Sequence, residues 1–427
     1  MRKLATLALL LLIAAPVLGI AGPAAAHADL DWTSPAEGKA LKACPADVVM
    51  HFSEAVATGG LTATTGTVVL NARPTVDDQT FLVQTQGHCQ AHHLALGWRT
   101  ISADDGHVAS GMVDYRIGLH RSPAMAVPIL TTAVTPFLGS QQATVTLRAL
   151  GYTALAAFIG GLVFLGFAWP AGAEVRSARI VLVGSVLLGA LTSLGDLYAA
   201  AARTTASYDI RAALDQPFGR EFAAMALVWL LAGVVVVDLL QRGRTVLTRV
   251  GWRISAAVAG GALIFLEGRS AHASQAAAPA WGTAGDFLHV ACMSIWVGGL
   301  LMLVVCVLPR RRIDELDEVV PRFSTVAQIA VVGVIASGLL LVSVVLAPVP
   351  DIWGTHYARV LALKVLLLGV ALGAAMFSKR WVDRRTSSRG RLSVGVRGIA
   401  LSVGAEAVLA IGVLAAAGTL VSSSPGL

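Results

Sequence analysis

The sequence predicts a multidomain chain: an exported all-β domain, followed by an all-α bundle of eight transmembrane helices. Three observations carry this expectation. Charged residues make up 13% and apolar residues 56% of the 427, and mean hydropathy is +0.73, whereas a water-soluble domain needs about a quarter of its residues charged. From Leu147 onward the apolar residues gather in runs of about 20, the length that crosses a hydrocarbon core of about 30 Å, without the alternation of a membrane barrel. The preceding stretch has short β-prone runs separated by Gly, Pro, Asp and Ser, the pattern of a small sandwich or barrel.

Residues 1–26 read as a secretory signal. Arg2 and Lys3 precede an apolar stretch from Leu4 to Ile20, and Ala24-Ala25-Ala26 supplies the small residues a peptidase requires. Cleavage after Ala26 leaves His27 as the first residue; the alternative is an uncleaved anchor helix. Residues 27–120 form the expected β-domain, with runs such as Val48-Val49-Met50-His51-Phe52 and Met112-Val113-Asp114-Tyr115-Arg116-Ile117. Cys44 and Cys89 fall in this exported part and are candidates for a disulfide that would help so small a domain. Residues 121–146, with Pro123, Pro128 and Pro136, read as a linker.

The eight expected spans are 147–168, 178–200, 221–240, 252–267, 286–308, 324–346, 358–378 and 397–420. With the β-domain outside, the loops after the first, third, fifth and seventh are cytoplasmic. Those loops hold Arg176 and Arg179; Arg242, Arg244, Arg249 and Arg253; Arg310, Arg311, Arg312 and Arg322; and Lys379, Arg380, Arg384, Arg385, Arg389, Arg391 and Arg397. Only Arg203, Arg211, Arg220, Arg269 and Arg359 sit at the opposite ends, as the positive-inside rule requires. The net charge of +7 is therefore a topology signal, and no basic-aromatic stripe points to nucleic acid.

An N-terminal histidine offers an amine and an imidazole to a single ion, a brace that suits Cu(II) with its preference for tetragonal nitrogen and oxygen ligands. Asp105-Gly106-His107 supplies a carboxylate and a second imidazole two residues apart; Asp104 is a second carboxylate beside them. Without further support, a frayed terminus and a simple turn are the competing interpretations. His88, Cys89, His92 and His93 read as a strand edge with solvated histidines, an additional metal site being the alternative.

Within the membrane, ionisable residues are costly and mark function. Asp286, His289, Met293, Trp296 and Leu300 follow a 3,4,3,4 spacing that places them on one helical face. His289 and Met293, with Cys292 adjacent, form a set of soft donors for Cu(I), against the alternative of a cap, a packed side chain and an interhelical hydrogen bond. Met302 and Cys306 repeat the pairing lower down, where apolar packing is the stronger reading. Cys292 and Cys306 lie about 21 Å apart along one helix and cannot bridge each other. Lys364 and Glu406, deep in the last two spans, read as either part of a transport path or a structural ion pair. Glu267, Asp196 and His356 stand at exported span ends.

Several stretches carry a resemblance. His27-Ala28-Asp29-Leu30, Ser34-Pro35-Ala36-Glu37-Gly38, Pro45-Ala46-Asp47-Val48, Phe52-Ser53-Glu54 and Trp98 through Gly111 resemble the periplasmic copper-binding CopC family. Gly268 to His272, Asp286-Phe287-Leu288-His289, Trp296-Val297-Gly298-Gly299-Leu300, Arg322-Phe323-Ser324 and Lys364 resemble its membrane partner CopD. The resemblance implies a CopC-CopD fusion, with an immunoglobulin-like sandwich whose Cu(II) ligands match His27, Asp105 and His107. It also favours copper at His289 and His272.

The function expected is copper capture on the exported side and passage to the membrane bundle, across the cytoplasmic membrane. The chain is expected to be a carrier and not an enzyme, working with copper ion, the lipid bilayer and other copper-handling proteins. No Gly-x-x-x-x-Gly-Lys loop is present, so no nucleotide is expected to drive it. The alternatives are a membrane-anchored copper oxidoreductase using the histidine brace, and a haem-binding electron carrier.

Overall fold

The computed structural model describes residues 28, 30–75, 77–89, 93–103, 108–118, 141–204, 209–269 and 279–346, with six more between 361 and 373. The chain divides into two compact units, one holding residues 23–144 and 196–222 and the other 145–195 and 223–421.

The β-domain contains β1 (Leu30–Ser34), β2 (Ala40–Leu41), β3 (Asp47–Phe52), β4 (Thr62–Thr65), β5 (Val68–Leu70), β6 (Ala72–Pro74), β7 (Thr80–Gln84), β8 (His93–Ile101) and β9 (Val108–Ile117). One sheet has the order β1-β3-β7-β6 and the other β2-β9-β8-β4-β5. Their inner faces share one core. Strand alternation puts Val48, Met50 and Phe52 of β3 inside, opposite Leu94, Leu96 and Trp98 of β8 and Val113 and Tyr115 of β9. The Phe52 ring meets Trp98 edge-on, with centroids 5.5 Å apart. Gly111 pairs with Trp98 across the β8–β9 ladder. A Cβ there would lie 2.6 Å from the indole, so only glycine lets the ring cross the strand.

Two polar ties close the domain. Tyr115 Oη lies 2.9 Å from both Thr33 Oγ1 and the Pro35 carbonyl, and the Thr33 hydroxyl donates to that carbonyl at 2.8 Å. Cys44 and Cys89 form a disulfide with Cα atoms 5.9 Å apart. Beside it, the Thr85 hydroxyl donates to the Pro45 carbonyl.

The helical part comprises α1 (Gln141–Phe167), α2 (Arg176–Thr204), α3 (Ile210–Asp215), α4 (Pro217–Arg242), α5 (Val250–Arg269), α6 (Pro279–Met302) and α7 (Ile313–Leu341). All but α3 are long and apolar enough to cross a membrane, which gives six candidate spans among the described residues of a multi-pass membrane protein. The expected spans 358–378 and 397–420 lie outside the described residues, except for Leu361, Ala362, Val365, Leu366, Gly369 and Gly373, which are helical. Helix α1 begins inside the expected linker, and α7 begins at Ile313 instead of 324. An apolar run marks the hydrocarbon crossing, and it is blind to the polar turns by which a helix continues into the interface.

The bundle is closed by small residues. A Cβ on Gly298 of α6 would stand 1.8 Å from the Ala156 carbonyl of α1, and one on Gly160 would stand 2.3 Å from the Ser294 carbonyl. The two helices therefore cross backbone to backbone, as small residues permit in membranes. The loops after the first, third and fifth spans gather at one end. Arg244 Nε lies 3.6 Å from Glu174 Oε1. Glu315 accepts from Trp169 Nε1 at 2.7 Å and from Arg310 Nε at 2.9 Å, and the Arg310 guanidinium lies over the Trp169 ring. These loops carry the basic residues, so the positive charge has one end of the bundle.

Candidate metal centres

His27, Asp104, Asp105 and His107 lie outside the described residues; what the structure describes is the framework on either side of them. The β8–β9 ladder runs to Ile101 opposite Val108, so residues 102–107 form the connection between two paired strands. One step down that ladder, the Thr100 hydroxyl donates to the Ala28 carbonyl at 2.9 Å, and Ala28 is fully buried. The residue joined to His27 by one peptide bond is thus tied to the strand that leads into the Asp105-Gly106-His107 connection. Ala28 has φ +55°. A left-handed backbone at a non-glycine residue costs about 1–2 kcal/mol, and such strain persists where the surrounding structure imposes it, often at functional sites. Here burial and the Thr100 hydroxyl impose it. Glu54 contributes a second support: its Oε2 accepts from the buried Ser102 hydroxyl at 3.1 Å, inside the same connection.

The histidine cluster divides. Cys89 is in the disulfide and His92 lies outside the described residues. His93 is not a solvated edge residue: its Nε2 stands 2.5 Å from Asp114 Oδ1, and its side chain is 17% exposed. His88 follows a turn in which its backbone N–H donates to the Thr85 carbonyl.

In the membrane part, α6 presents His289 and Cys292 to α7. His289 Nδ1 lies 3.1 Å from Ser337 Oγ, and the Ser337 hydroxyl donates to the Gly333 carbonyl at 2.6 Å. The same hydroxyl lies 3.2 Å from the Val334 carbonyl, so the imidazole meets a serine held against the backbone of α7. A hydrogen-bond partner on one ring nitrogen is what orients a metal-ligating imidazole. The facing residues of α7 are small. A Cβ on Gly338 would lie 3.6 Å from the His289 ring, and one on Gly333 would stand 2.4 Å from Cys292 Sγ. Met293 packs in the apolar core, so the structure brings Cys292 to the α7 side with His289. Met302 and Cys306 are buried with their sulfurs 4.0 Å apart; Cys306 lies in a π-helical turn, Leu303–Val307, that ends the span. His272, Lys364 and Glu406 lie outside the described residues. Among the described residues, no three His, Cys, Asp or Glu side chains converge on a point where a metal could sit.

One turn above His289 is a polar cluster drawn from three helices. The Tyr152 hydroxyl of α1 hydrogen-bonds Glu267 of α5, with Arg148 of α1 and Asp286 of α6 in electrostatic reach. Gly268 admits Asp286 to α5, since a Cβ there would lie 2.7 Å from the carboxylate. Arg148 and Tyr152 are not legible as site residues from the sequence. The one available signal is an arginine at the mouth of an apolar run, where partners are expected on neighbouring helices.

Comparisons with known proteins agree on the two halves. The family described as CopC domain matches residues 30–118, and the family described as Copper resistance protein D matches residues 317–420. Copper transport protein CutJ of Bacillus subtilis (strain 168) is 27% identical, over 93% of this chain and 74% of that protein. Among solved structures, CopC from Methylosinus trichosporium OB3b matches 23% of this chain and 99% of its own, at 16% identity and a TM-score of 0.20.

Proposed function

We propose that this chain, in which a CopC domain is joined to a membrane region of the copper resistance protein D type, captures Cu(II) outside the cytoplasmic membrane and passes copper into its helical bundle for transport. It is a carrier and not an enzyme. In this reading the β-domain is an immunoglobulin-like sandwich on the extracytoplasmic side, and two further helices complete a bundle of eight. The terminal amine and imidazole of His27, with Asp105 and His107, hold the Cu(II). Thr100, by fixing the Ala28 carbonyl, limits how far the N-terminal ligand pair can swing from the 102–107 connection.

The observation that carries the membrane half is the His289–Ser337–Gly333 relay. It holds an imidazole against α7, next to the Cys292 thiol, on a helix that runs from the Arg148–Tyr152–Glu267–Asp286 cluster to the Met302–Cys306 pair. Nitrogen and sulfur donors suit Cu(I), and carboxylates at the mouth attract a cation. The Lys364 and Glu406 charges complete the path from the last two spans.

The test is Cu(II) titration of the purified full chain, followed by electron paramagnetic resonance. One tight Cu(II) with nitrogen hyperfine structure is expected, and it should be lost in His27→Ala and His107→Ala and retained in His289→Ala. A signal indifferent to His27 and His107 rules out the exported site.

A further inference from the structure

The unit that contains the β-domain also contains residues 196–222, the segment between the second and third spans. This segment forms an apolar cluster with the β-domain. Ala57 and Ile101 pack with Ala200, Ala201, Ala213 and Phe218, all 3% exposed or less, and Ala103, Leu197 and Phe222 border them.

Local chemistry builds each side. Asp209 caps α3, its carboxylate accepting from the Arg211 N–H at 2.9 Å. Helix α3 then folds onto the start of α4 at Gly219, where a Cβ would lie 1.9 Å from the Ala213 carbonyl. That contact, which only glycine allows, brings Ala213 and Phe218 to one side. On the β-domain, the Ala57 N–H donates to the Ile101 carbonyl and the Ala103 N–H to the Ala55 carbonyl, both at 2.8 Å. Gly60 tightens the same turn, since a Cβ there would stand 2.7 Å from the Ala57 carbonyl.

The position of this patch decides its meaning. Ile101 is the last residue of β8, and it pairs with Val108 at the base of the connection that carries Asp105 and His107. Phe218 therefore shares a buried cluster with the root of the segment bearing two of the expected copper ligands.

We infer that residues 196–204 and 209–222 are a dock that clamps Ile101 and Ala103, at the root of the 102–107 connection, and that this clamp couples the exported copper site to α2 and α4, with which the dock is continuous. Phe218 is its positioning residue. The coupling rests on the function proposed above; the clamp does not.

The test uses the full chain in detergent and in cells, with Phe218→Ala and Ala213→Glu as independent disruptions. Backbone hydrogen exchange at 101–103 and 108–109 should rise by about tenfold or more in both variants, as local protection is lost. Cu(II) stoichiometry at the exported site should stay at the wild-type value, while copper movement falls several-fold. Unchanged exchange in both variants overturns the clamp. Raised exchange with unchanged copper movement, when His289→Ala abolishes that movement, overturns the coupling. If the wild-type chain moves no copper, the proposed transport fails and the coupling with it, while the exchange result still decides the clamp.

Discussion

His289 Nδ1 and Ser337 Oγ hydrogen-bond across the α6–α7 interface at 3.1 Å, and the serine hydroxyl donates to the Gly333 carbonyl at 2.6 Å. This contact orients the imidazole. Replacing Ser337 with Ala removes this contact and leaves the ring freer to rotate. Loss of such a supporting partner typically costs about 10- to 100-fold in metal affinity. Competition against a Cu(I) chelator is expected to show a drop of that order for Ser337→Ala and a larger one for His289→Ala.

The crossing of α1 and α6 depends on two glycines. Gly298→Ala would drive a methyl group to 1.8 Å from the Ala156 carbonyl, so the helices must separate. Overpacking of this kind costs about 1–3 kcal/mol, and unfolding in detergent should shift accordingly. Gly184→Ala is the control, because nothing lies within 4 Å of its Cβ position. It should be neutral or slightly stabilising.

The Cys44–Cys89 bridge spans 45 residues. Closing a loop of that size stabilises a domain by about 2–4 kcal/mol. Replacement of both cysteines by serine should lower the midpoint of β-domain unfolding by that amount, with the helical signal unaffected.

Tyr115 is buried, and burial pushes its phenol above the ordinary value of 10.0; the Thr33 hydrogen bond opposes the shift and the Glu37 charge adds to it. The folded state favours the neutral phenol, so this contribution is complete below pH about 10 and is lost as pH rises through the raised folded value. Ultraviolet titration should show Tyr115 ionising after the exposed tyrosines. Tyr115→Phe removes that part of the alkaline destabilisation, but at neutral pH it costs about 1 kcal/mol in lost hydrogen bonding, Thr33 and Pro35 keeping the bond they share.

The sequence made legible what depends on repeating patterns. The β-prone run from Val48 to Phe52 marked β3, and the apolar runs marked the six spans found among the described residues, with arginines in the loops that meet at one end. What it did not show depends on side chains meeting from distant segments. Thr100 reaches Ala28 from 72 positions away, and Ser337 reaches His289 from 48; neither residue is unusual where it stands. Cys292 turns toward α7 with His289 because Gly333 leaves room for a sulfur there. The dock at Phe218 is built mostly from alanines, which carry no signal in a chain so rich in them.

The most direct measurement is the copper content of cells that make the intact chain, compared with cells that lack it and with cells that make His27→Ala, His107→Ala or His289→Ala. Copper content should differ between the first two, and each substitution should return it toward that of cells without the chain, His289→Ala most completely. Equal copper content in all five contradicts copper passage through this protein.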